Sequence, residues 1–201
     1  MHKILGIGGS PRKGGNSDIL IKRMLLGAKQ PGVSTEEVQI RDYHIKPCIV
    51  CERCRKDGQC KSVQDGMQLL YPKIIEADGL IIVTPVHNYN MTAILKVFID
   101  RLSCFYYLEE ERPGCWKSRL ADKRRKAIIS AVGEQKELEK GGMTLTLSTL
   151  HLSFEGLGYE IFREFPVPGI FLKGKIKEYP SLLRKAEIAG KQLAASLKLS
   201  S

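Results

Sequence analysis

The sequence predicts an α/β fold in which a parallel sheet of five strands is covered by helices on both faces. Short apolar runs alternate with longer segments that place apolar residues at helical spacing, a pattern typical of parallel sheets with crossover helices. Residues 80–84 are almost wholly apolar, as expected for a strand that is buried on both faces. A chain of 201 residues can bury such a core, so we expect a single domain over residues 1–201.

The first half of the chain supplies three of the strands. Residues 3–8 are predicted to form a short buried strand, followed by a glycine-rich turn and a helix that begins near Asn16 and Ser17, which are good N-cap residues. That helix ends near Pro31, because proline and the glycine after it stop a helix. The remaining elements of this half are a strand at residues 37–40, a cysteine-rich loop at 47–61, a helix at 65–77 and a strand at 80–84.

The second half completes the sheet. A loop over residues 85–92 leads to an amphipathic helix at 93–102, and residues 105–125 are expected to form an irregular insertion. Five strands in this length favour a flavodoxin-like, doubly wound sheet in a three-layer α/β/α arrangement, with the cysteine-rich loop after strand 2. Ligands of such sheets bind at the carboxyl ends of the strands, so we expect the chemistry in the loops after strands 1, 3 and 4. The last predicted elements are strands at 127–132 and 159–165 and helices at 143–154 and 182–197.

Charge and hydropathy narrow the classes of function. Lys plus Arg number 32 and Asp plus Glu number 22, and the net charge of +10 favours anionic partners such as phosphates, nucleotides or acidic proteins. We expect a cytoplasmic protein without a membrane partner, because no apolar run could span a bilayer and the amino terminus does not follow the pattern of a signal peptide. The basic run at residues 123–126 has no nucleic-acid-binding motif beside it, so we expect no nucleic-acid partner.

The loop after the first strand has the composition of a phosphate site. It reads Gly-Ser-Pro-Arg-Lys-Gly-Gly-Asn-Ser over residues 9–17 and leads into a helix, whose first N–H groups and dipole attract an anion. The loop lacks the Gly-Lys-Ser/Thr end of a P-loop and the third glycine of the dinucleotide fingerprint, so it suits one phosphate monoester. A turn that merely connects strand to helix is the alternative. The candidate ligands are Ser10, Arg12, Asn16 and Ser17.

The loops after strands 3 and 4 are suited to a flat heteroaromatic ring. Proline stiffens residues 84–90, and asparagine tolerates turn conformations, so the backbone there can present hydrogen-bonding groups to a ring. His87 or Tyr89 would pack beside the ring or at a subunit contact, whereas an ordinary polar loop with an exposed histidine is the alternative. The candidate ring-binding residues are Thr84, Pro85, Val86, His87, Asn88, Tyr89, Asn90 and, after strand 4, Gly133.

Four of the six cysteines lie in one short segment with the spacing Cys-x2-Cys-x2-Cys-x5-Cys. A compact run of this kind can hold one 4Fe-4S cluster, since bacterial ferredoxins use a related spacing and four thiolates. Structural zinc more often takes two separated pairs, so zinc is one alternative, and redox thiols without a metal are another. Cys104 and Cys115 lie outside the run and are expected to be structural thiols. The four candidate metal ligands are Cys48, Cys51, Cys54 and Cys60.

Taken together, these motifs resemble the NADPH-dependent FMN reductases, and the cysteine run resembles that of the iron-sulfur flavoproteins within that superfamily. The resemblance covers about residues 3–135, with its motifs in the expected order. One departure is His87, where family members often have tyrosine. The matching stretches are Gly-Ser-Pro-Arg-Lys with Asn16 and Ser17, Ala-Asp-Gly at 77–79, Thr-Pro-Val at 84–86 and Lys-Val-Phe-Ile-Asp-Arg at 96–101.

The resemblance implies an oxidoreductase that binds FMN and passes electrons between FMN and a nearby 4Fe-4S cluster. By position, the phosphate-loop residues would hold the FMN phosphate, residues 85–90 would line the flavin, and the four cysteines would hold the cluster. Lys96, Asp100 and Arg101 would have structural or interfacial roles. The electron partner would be NAD(P)H or an acidic ferredoxin-like protein, and the chain would form homodimers or homotetramers. The alternative is an NAD(P)H-dependent FMN or quinone reductase without a cluster, its cysteines free or zinc-bound.

Overall fold

A computed structural model of the chain describes residues 1–109 and 114–199. The strands are β1 (His2–Gly8), β2 (Val33–Gln39), β3 (Gly79–Pro85), β4 (Tyr106–Leu108), β5 (Trp116–Ser118), β6 (Arg125–Val132) and β7 (Tyr159–Val167). The α-helices are α1 (Asn16–Ala28), α2 (Tyr71–Glu76), α3 (Ala93–Arg101), α4 (Met143–Gly156) and α5 (Pro180–Lys198). None of the helices in these residues combines the length and hydropathy that a membrane crossing needs.

Five of the strands form one parallel sheet in the order β2-β1-β3-β6-β7. This is the doubly wound order of flavodoxin-like folds, and it confirms the predicted fold class. At the centre of the sheet, the side chains of β3 from Leu80 to Val83 are completely buried. Because the strands run the same way, the carboxyl ends of β1, β3 and β6 lie side by side. The strand order reverses between β1 and β3, and such sheets bind ligands in the crevice at that point.

The two faces of the sheet carry separate apolar cores, as the three-layer arrangement requires. On one face, α1 and α5 pack through residues such as Leu20 and Leu193. On the other face, α3 and α4 pack through residues such as Phe98 and Leu150. Side chains of β3 belong to both cores, so the central strand packs against the helices on both faces of the sheet.

Three predicted elements differ from the structure. β2 begins at Val33, four residues before the predicted start. The first residues of this edge strand were missed because an edge strand can expose polar side chains and then shows no apolar run. The predicted helix at residues 65–77 is a 3-10 turn at Gly66–Leu69 followed by the short helix α2. β7 continues through Pro166 to Val167, since proline is tolerated on an edge strand that lacks a second neighbour.

The predicted irregular insertion at residues 105–125 contains regular structure. β4 and β5 pair as a short antiparallel hairpin that is separate from the main sheet. Residues 110–113 of the insertion lie outside the described part of the chain. Three-residue strands carry too little periodicity for sequence patterns to detect, which is why only irregular structure is predicted there.

Asp78 joins three segments at the amino-terminal edge of the sheet. One of its carboxylate oxygens accepts a hydrogen bond of 2.9 Å from the backbone N–H of Lys3, and the other accepts one of 2.6 Å from the ammonium of Lys123. Burial alone would raise the pKa of this carboxyl, but the two donors and the charge of Lys123 outweigh burial and lower the pKa below 3.8. The ionised carboxylate therefore stabilises the fold.

We expect Asp78→Asn to lower the free energy of unfolding at neutral pH by about 1.5–3 kcal/mol, because a charged acceptor is lost. A carboxyl with a depressed folded-state pKa stabilises the fold only while it is ionised, so the difference is full above about pH 5 and disappears as the pH falls through that pKa. Urea unfolding of both proteins across this range measures the difference. Glu178→Gln, which removes an exposed carboxylate, should change stability by less than about 1 kcal/mol. A difference that stays constant with pH would contradict the assigned charge state.

Candidate functional site

The carboxyl ends of the central strands open into a cavity of about 900 Å³. This is the size of cavity that holds a cofactor or a drug-sized ligand. Thr84 and Asn90, also predicted for this site, do not line the cavity, and the side chain of Thr84 is completely buried. The other predicted residues all line it, namely Ser10, Arg12, Asn16, Ser17, Pro85, Val86, His87, Asn88, Tyr89 and Gly133.

The phosphate loop lies at one end of the cavity and leads into α1. The residue that precedes α1 is Gly15, which has no side chain to cap the helix, so the start of α1 faces the cavity without a side-chain cap from that position. Ser10 Oγ accepts a hydrogen bond of 3.1 Å from the N–H of Arg12 and thereby fixes the turn. Ser10 and Ser17 are almost completely buried at this end of the cavity. An uncapped helix start with two hydroxyls beside it suits a phosphate group.

Asn16 ties the phosphate loop to the loop that follows β7. Its side-chain amide donates to the carbonyl of Leu172 at 2.9 Å, and its carbonyl accepts from the N–H of Ile176 at 3.1 Å. The side chain therefore holds the local fold, and only its second amide hydrogen is left for a ligand. Arg12 reinforces the same junction, because its guanidinium lies over the ring of Phe171 at 5.4 Å.

A largely buried ion pair supports the phosphate loop from behind, and no local sequence pattern indicates it. The guanidinium of Arg41 donates to both carboxylate oxygens of Asp18, at 2.9 and 2.8 Å, and also to the carbonyl of Ser10 at 3.0 Å. Asp18 lies in the first turn of α1, where its charge would repel a phosphate. Arg41 neutralises that charge and at the same time holds the loop in place.

The loop after β3 makes a tight turn whose backbone faces the cavity. The N–H of His87 donates to the carbonyl of Asn90 at 2.7 Å, and Asn88 and Tyr89 both have positive φ, of 50° and 68°. This geometry is a type I′ turn, which rarely places a tyrosine at its centre. Gly142 allows the turn to pack closely, since a Cβ there would lie 2.1 Å from the carbonyl oxygen of Tyr89.

The loops after β6 and β7 supply cavity residues that were not predicted. These loops leave the same edge of the sheet as the other loops, so the predicted strand order could have indicated that their residues line the cavity. Lys140 and Lys173 add positive charge to the cavity, and Ile170 and Phe171 add apolar surface. The additional lining residues include Glu134, Gln135, Glu139, Lys140, Leu145, Ile170, Phe171 and Lys173.

The four clustered cysteines line a second cavity, of about 510 Å³. Its wall also includes other residues of the cysteine loop, Ile99 and Asp100 from the end of α3, Ser153 from the end of α4, and Tyr106 in the hairpin. Within residues 1–109 and 114–199, no three side chains of His, Cys, Asp or Glu converge closely enough to hold a single metal ion. The thiols therefore share a cavity without forming a one-ion site.

The backbone around Cys51 is held in an uncommon conformation. Val50 and Glu52, on either side of it, have φ values of 52° and 59°, and a β-branched residue rarely has positive φ. Strain of this kind concentrates at functional sites.

The environments of Cys51 and Cys54 shift the pKa values of their thiols in opposite directions. Hydrogen bonding with the Ser62 hydroxyl, whose oxygen lies 3.1 Å from Cys51 Sγ, lowers the pKa of the exposed Cys51 thiol. Burial raises the pKa of the Cys54 thiol.

Arginines near the cysteine cavity favour an anionic occupant, because Arg55 lines the cavity and Arg101 contacts Cys60. The Nε atoms of Arg55, Arg101 and Arg119 are buried, and no residue in the described part of the chain accepts their hydrogens. Arg101 also lies 3.6 Å from Cys60 Sγ. Four thiolates carry negative charge, which these guanidinium groups would offset. The residues present thus fit a thiolate-ligated cluster.

Cys104 and Cys115 lie outside the cavity wall, and the structural role predicted for both suits only Cys104. Cys104 is buried in the core, and this burial raises the pKa of its thiol to about 12. Cys115 is exposed. This exposed thiol is therefore a matched control for the four clustered cysteines.

The two cavities lie at opposite ends of α3 and α4. Thr92, which caps α3, and Leu145, near the start of α4, line the larger cavity. Asp100 and Ser153, eight residues further along the same two helices, line the cysteine cavity. At 1.5 Å per residue this separation is about 12 Å along each helix. Both helices therefore run from one candidate site to the other.

The doubly wound sheet and the phosphate-type loop at the switch point define a flavodoxin-like fold with a candidate anion site. Comparison with known proteins specifies the family. The chain belongs to the NADPH-dependent FMN reductase family, which it matches over residues 2–151. Its fold is also similar to that of a solved NAD(P)H:quinone oxidoreductase from Methanothermobacter marburgensis, with a TM-score of 0.75 at 18% identity, covering 96% of this chain and 98% of that one.

Curated relatives assign the chain to the iron-sulfur flavoprotein branch of this family. It is 33% identical to an iron-sulfur flavoprotein of Methanocaldococcus jannaschii over 152 residues, which are 76% of this chain and 71% of the relative. It is 41% identical to an iron-sulfur flavoprotein of Methanosarcina thermophila over 99 residues, which are 49% of this chain and 51% of the relative. The match thus spans only about half the length of that second relative.

We expect Arg12→Ala to weaken FMN binding by about tenfold while leaving riboflavin binding unchanged, because Arg12 lines the end of the cavity where the phosphate is expected and riboflavin has no phosphate. Titration of the flavin-free protein with each flavin, followed by fluorescence quenching, measures both affinities. Lys22→Ala is the matched control, since it removes the same charge from an exposed position on α1. An equal loss for both flavins would contradict the placement of the phosphate.

Proposed function

We propose that this protein is an FMN-dependent redox protein that passes electrons between a 4Fe-4S cluster and FMN. The observation that carries the proposal is that Cys48, Cys51, Cys54 and Cys60 line one cavity, which α3 and α4 join to the flavin cavity. When bound, FMN supplies one- and two-electron chemistry and the cluster supplies one-electron chemistry. In this proposal the chain is a single domain that holds the two groups at a fixed separation.

Different residues around the larger cavity are proposed to bind the phosphate and the ring of FMN. Ser10, Ser17 and Arg12 are proposed to bind the phosphate, with the start of α1 supplying backbone N–H groups. The turn at residues 87–90 and Gly133 are proposed to bind the ring. Met143 and Val86 pack closely around Gly133, where a Cβ would lie 2.9 Å from Met143 Cε, so a larger residue there would displace the end of the Met143 side chain.

An acidic protein, of the ferredoxin type, is the proposed electron partner. The net charge of +10 favours such a partner, and Lys46, Arg53 and Lys56 are exposed beside the cysteine cavity. A homodimer or homotetramer is also proposed, because Leu145 and Leu152 are exposed by 54% and 70% on one side of α4. A reducing compartment such as the cytoplasm suits six free thiols.

An NAD(P)H-dependent FMN or quinone reductase without a cluster is the second candidate function. The family itself is described as NADPH-dependent, and Arg12, Lys140 and Lys173 line a cavity large enough for a second anionic ligand beside FMN. In this case the cysteines would be free or would bind zinc. Steady NAD(P)H oxidation at the wild-type rate by a Cys51→Ser variant would favour this function.

Anaerobic purification followed by iron and acid-labile sulfide determination tests the main proposal. We expect about four irons per chain, a broad absorbance beside the flavin bands, and loss of most of the iron in Cys51→Ser. Cys115→Ser, which changes an exposed thiol outside the cavity, should keep the wild-type iron content. Fewer than about two irons per chain in reconstituted wild-type protein would contradict the proposal.

A further inference from the structure

We propose that Arg101 is a positioning residue of the cysteine cavity, which holds the ligand Cys60 in place and sets the reduction potential of the cluster through a hydrogen bond to Cys60 Sγ. The inference rests on the proposed function, because it concerns a cluster bound in that cavity. It assigns a specific task to a residue for which the sequence indicates only a structural or interfacial role.

The guanidinium of Arg101 is buried and makes four contacts from the carboxyl end of α3. One terminal nitrogen lies 3.6 Å from Cys60 Sγ and donates to the carbonyl of Val63 at 3.0 Å. The other donates to the carbonyl of Lys46 at 2.9 Å and to the carboxylate of Asp65 at 2.6 Å. The side chains of Arg101 and Asp65 are each only 1% exposed. This pair is therefore shielded from solvent.

The four contacts close the cysteine loop at its base. Lys46 precedes the first cysteine of the motif, whereas Val63 and Asp65 follow the last one, so a single guanidinium links the two ends of the segment. Asp65 extends the link, because its carboxylate also accepts from the backbone N–H of Lys46 at 2.8 Å and of Met67 at 2.9 Å. Lysine could not replace these contacts, since an ammonium is a point charge without the planar fork of arginine.

The contact with Cys60 has an electrostatic consequence. A cluster becomes more negative on reduction, so a cationic donor on a ligand sulfur stabilises the reduced state and raises the potential. Arg55 and Arg119 also lie near the cavity, but their recorded hydrogen bonds go to backbone carbonyls, including those of Ser103 and Tyr106. Arg55 also acts on Cys54 through its charge, whereas Arg101 is, within the described residues, the arginine whose side chain lies within hydrogen-bonding distance of a ligand sulfur.

A redox titration of anaerobically purified Arg101→Lys, monitored by electron paramagnetic resonance, tests the proposal. We expect the cluster to be present, with its reduction equilibrium shifted about tenfold toward the oxidised state, which is about 59 mV for one electron. The FMN potential should not change. Arg125→Lys is the matched control, because Arg125 is equally buried and paired with Asp122 but lies away from the cysteine cavity. It should lower the melting temperature without moving the cluster potential.

A second variant covers the case in which Arg101→Lys does not fold. Arg101→Gln combined with Asp65→Asn removes both charges together and so leaves no unpaired charge buried. We expect this protein to show the same lowered potential or to lose iron. A wild-type potential in either variant would overturn the proposal while leaving the cluster itself established. Failure of both variants to fold, with Arg125→Lys folded, would also overturn it, because the pair would then serve the fold alone. Absence of iron from the wild-type protein would instead refute the proposed function.

Discussion

The parallel pairing of β1, β3 and β6 is the constraint on which the candidate flavin site depends. It requires three loops to leave the sheet at neighbouring positions, and the reversal of strand order between β1 and β3 separates the helices there and opens a crevice. Burial of the β3 side chains on both faces keeps these strands in register. Distant parts of the sequence, such as the phosphate loop and Gly133, meet at one cavity for this reason.

The helices α3 and α4, which cover one face of the sheet, connect the larger cavity to the cysteine cavity. α3 and α4 begin at the flavin cavity and end at the cysteine cavity, so their length fixes the separation of the two sites. Buried arginines then fix the loops at either end. Arg41 pairs with Asp18 behind the phosphate loop, and Arg101 pairs with Asp65 at the base of the cysteine loop. At each site a buried cation neutralises a carboxylate and also holds backbone carbonyls in place.

Local patterns predicted the fold class and many of the residues that line the larger cavity, because strands, glycine-rich turns and helix starts have short-range signatures. The same patterns placed the four cysteines in one segment. The Arg41–Asp18 pair was not predicted, since its partners are far apart in sequence and meet only through the tertiary fold. Asn16 was predicted as a phosphate ligand, and the structure adds a role that no local pattern shows, because its side chain holds residues 172 and 176. The hairpin of β4 and β5 is too short to give a periodic signal.

We propose that the cysteine cavity holds an iron-sulfur cluster and that FMN lies at the opposite end of α3 and α4. Diffraction data collected at the iron absorption edge from anaerobically grown crystals test this claim most directly. We predict a strong anomalous peak enclosed by Cys48, Cys51, Cys54 and Cys60, with flavin density in the cavity beside Ser10 and Ser17. An anomalous signal at the zinc edge alone, or a cavity without any anomalous signal in protein that was never exposed to oxygen, would contradict it.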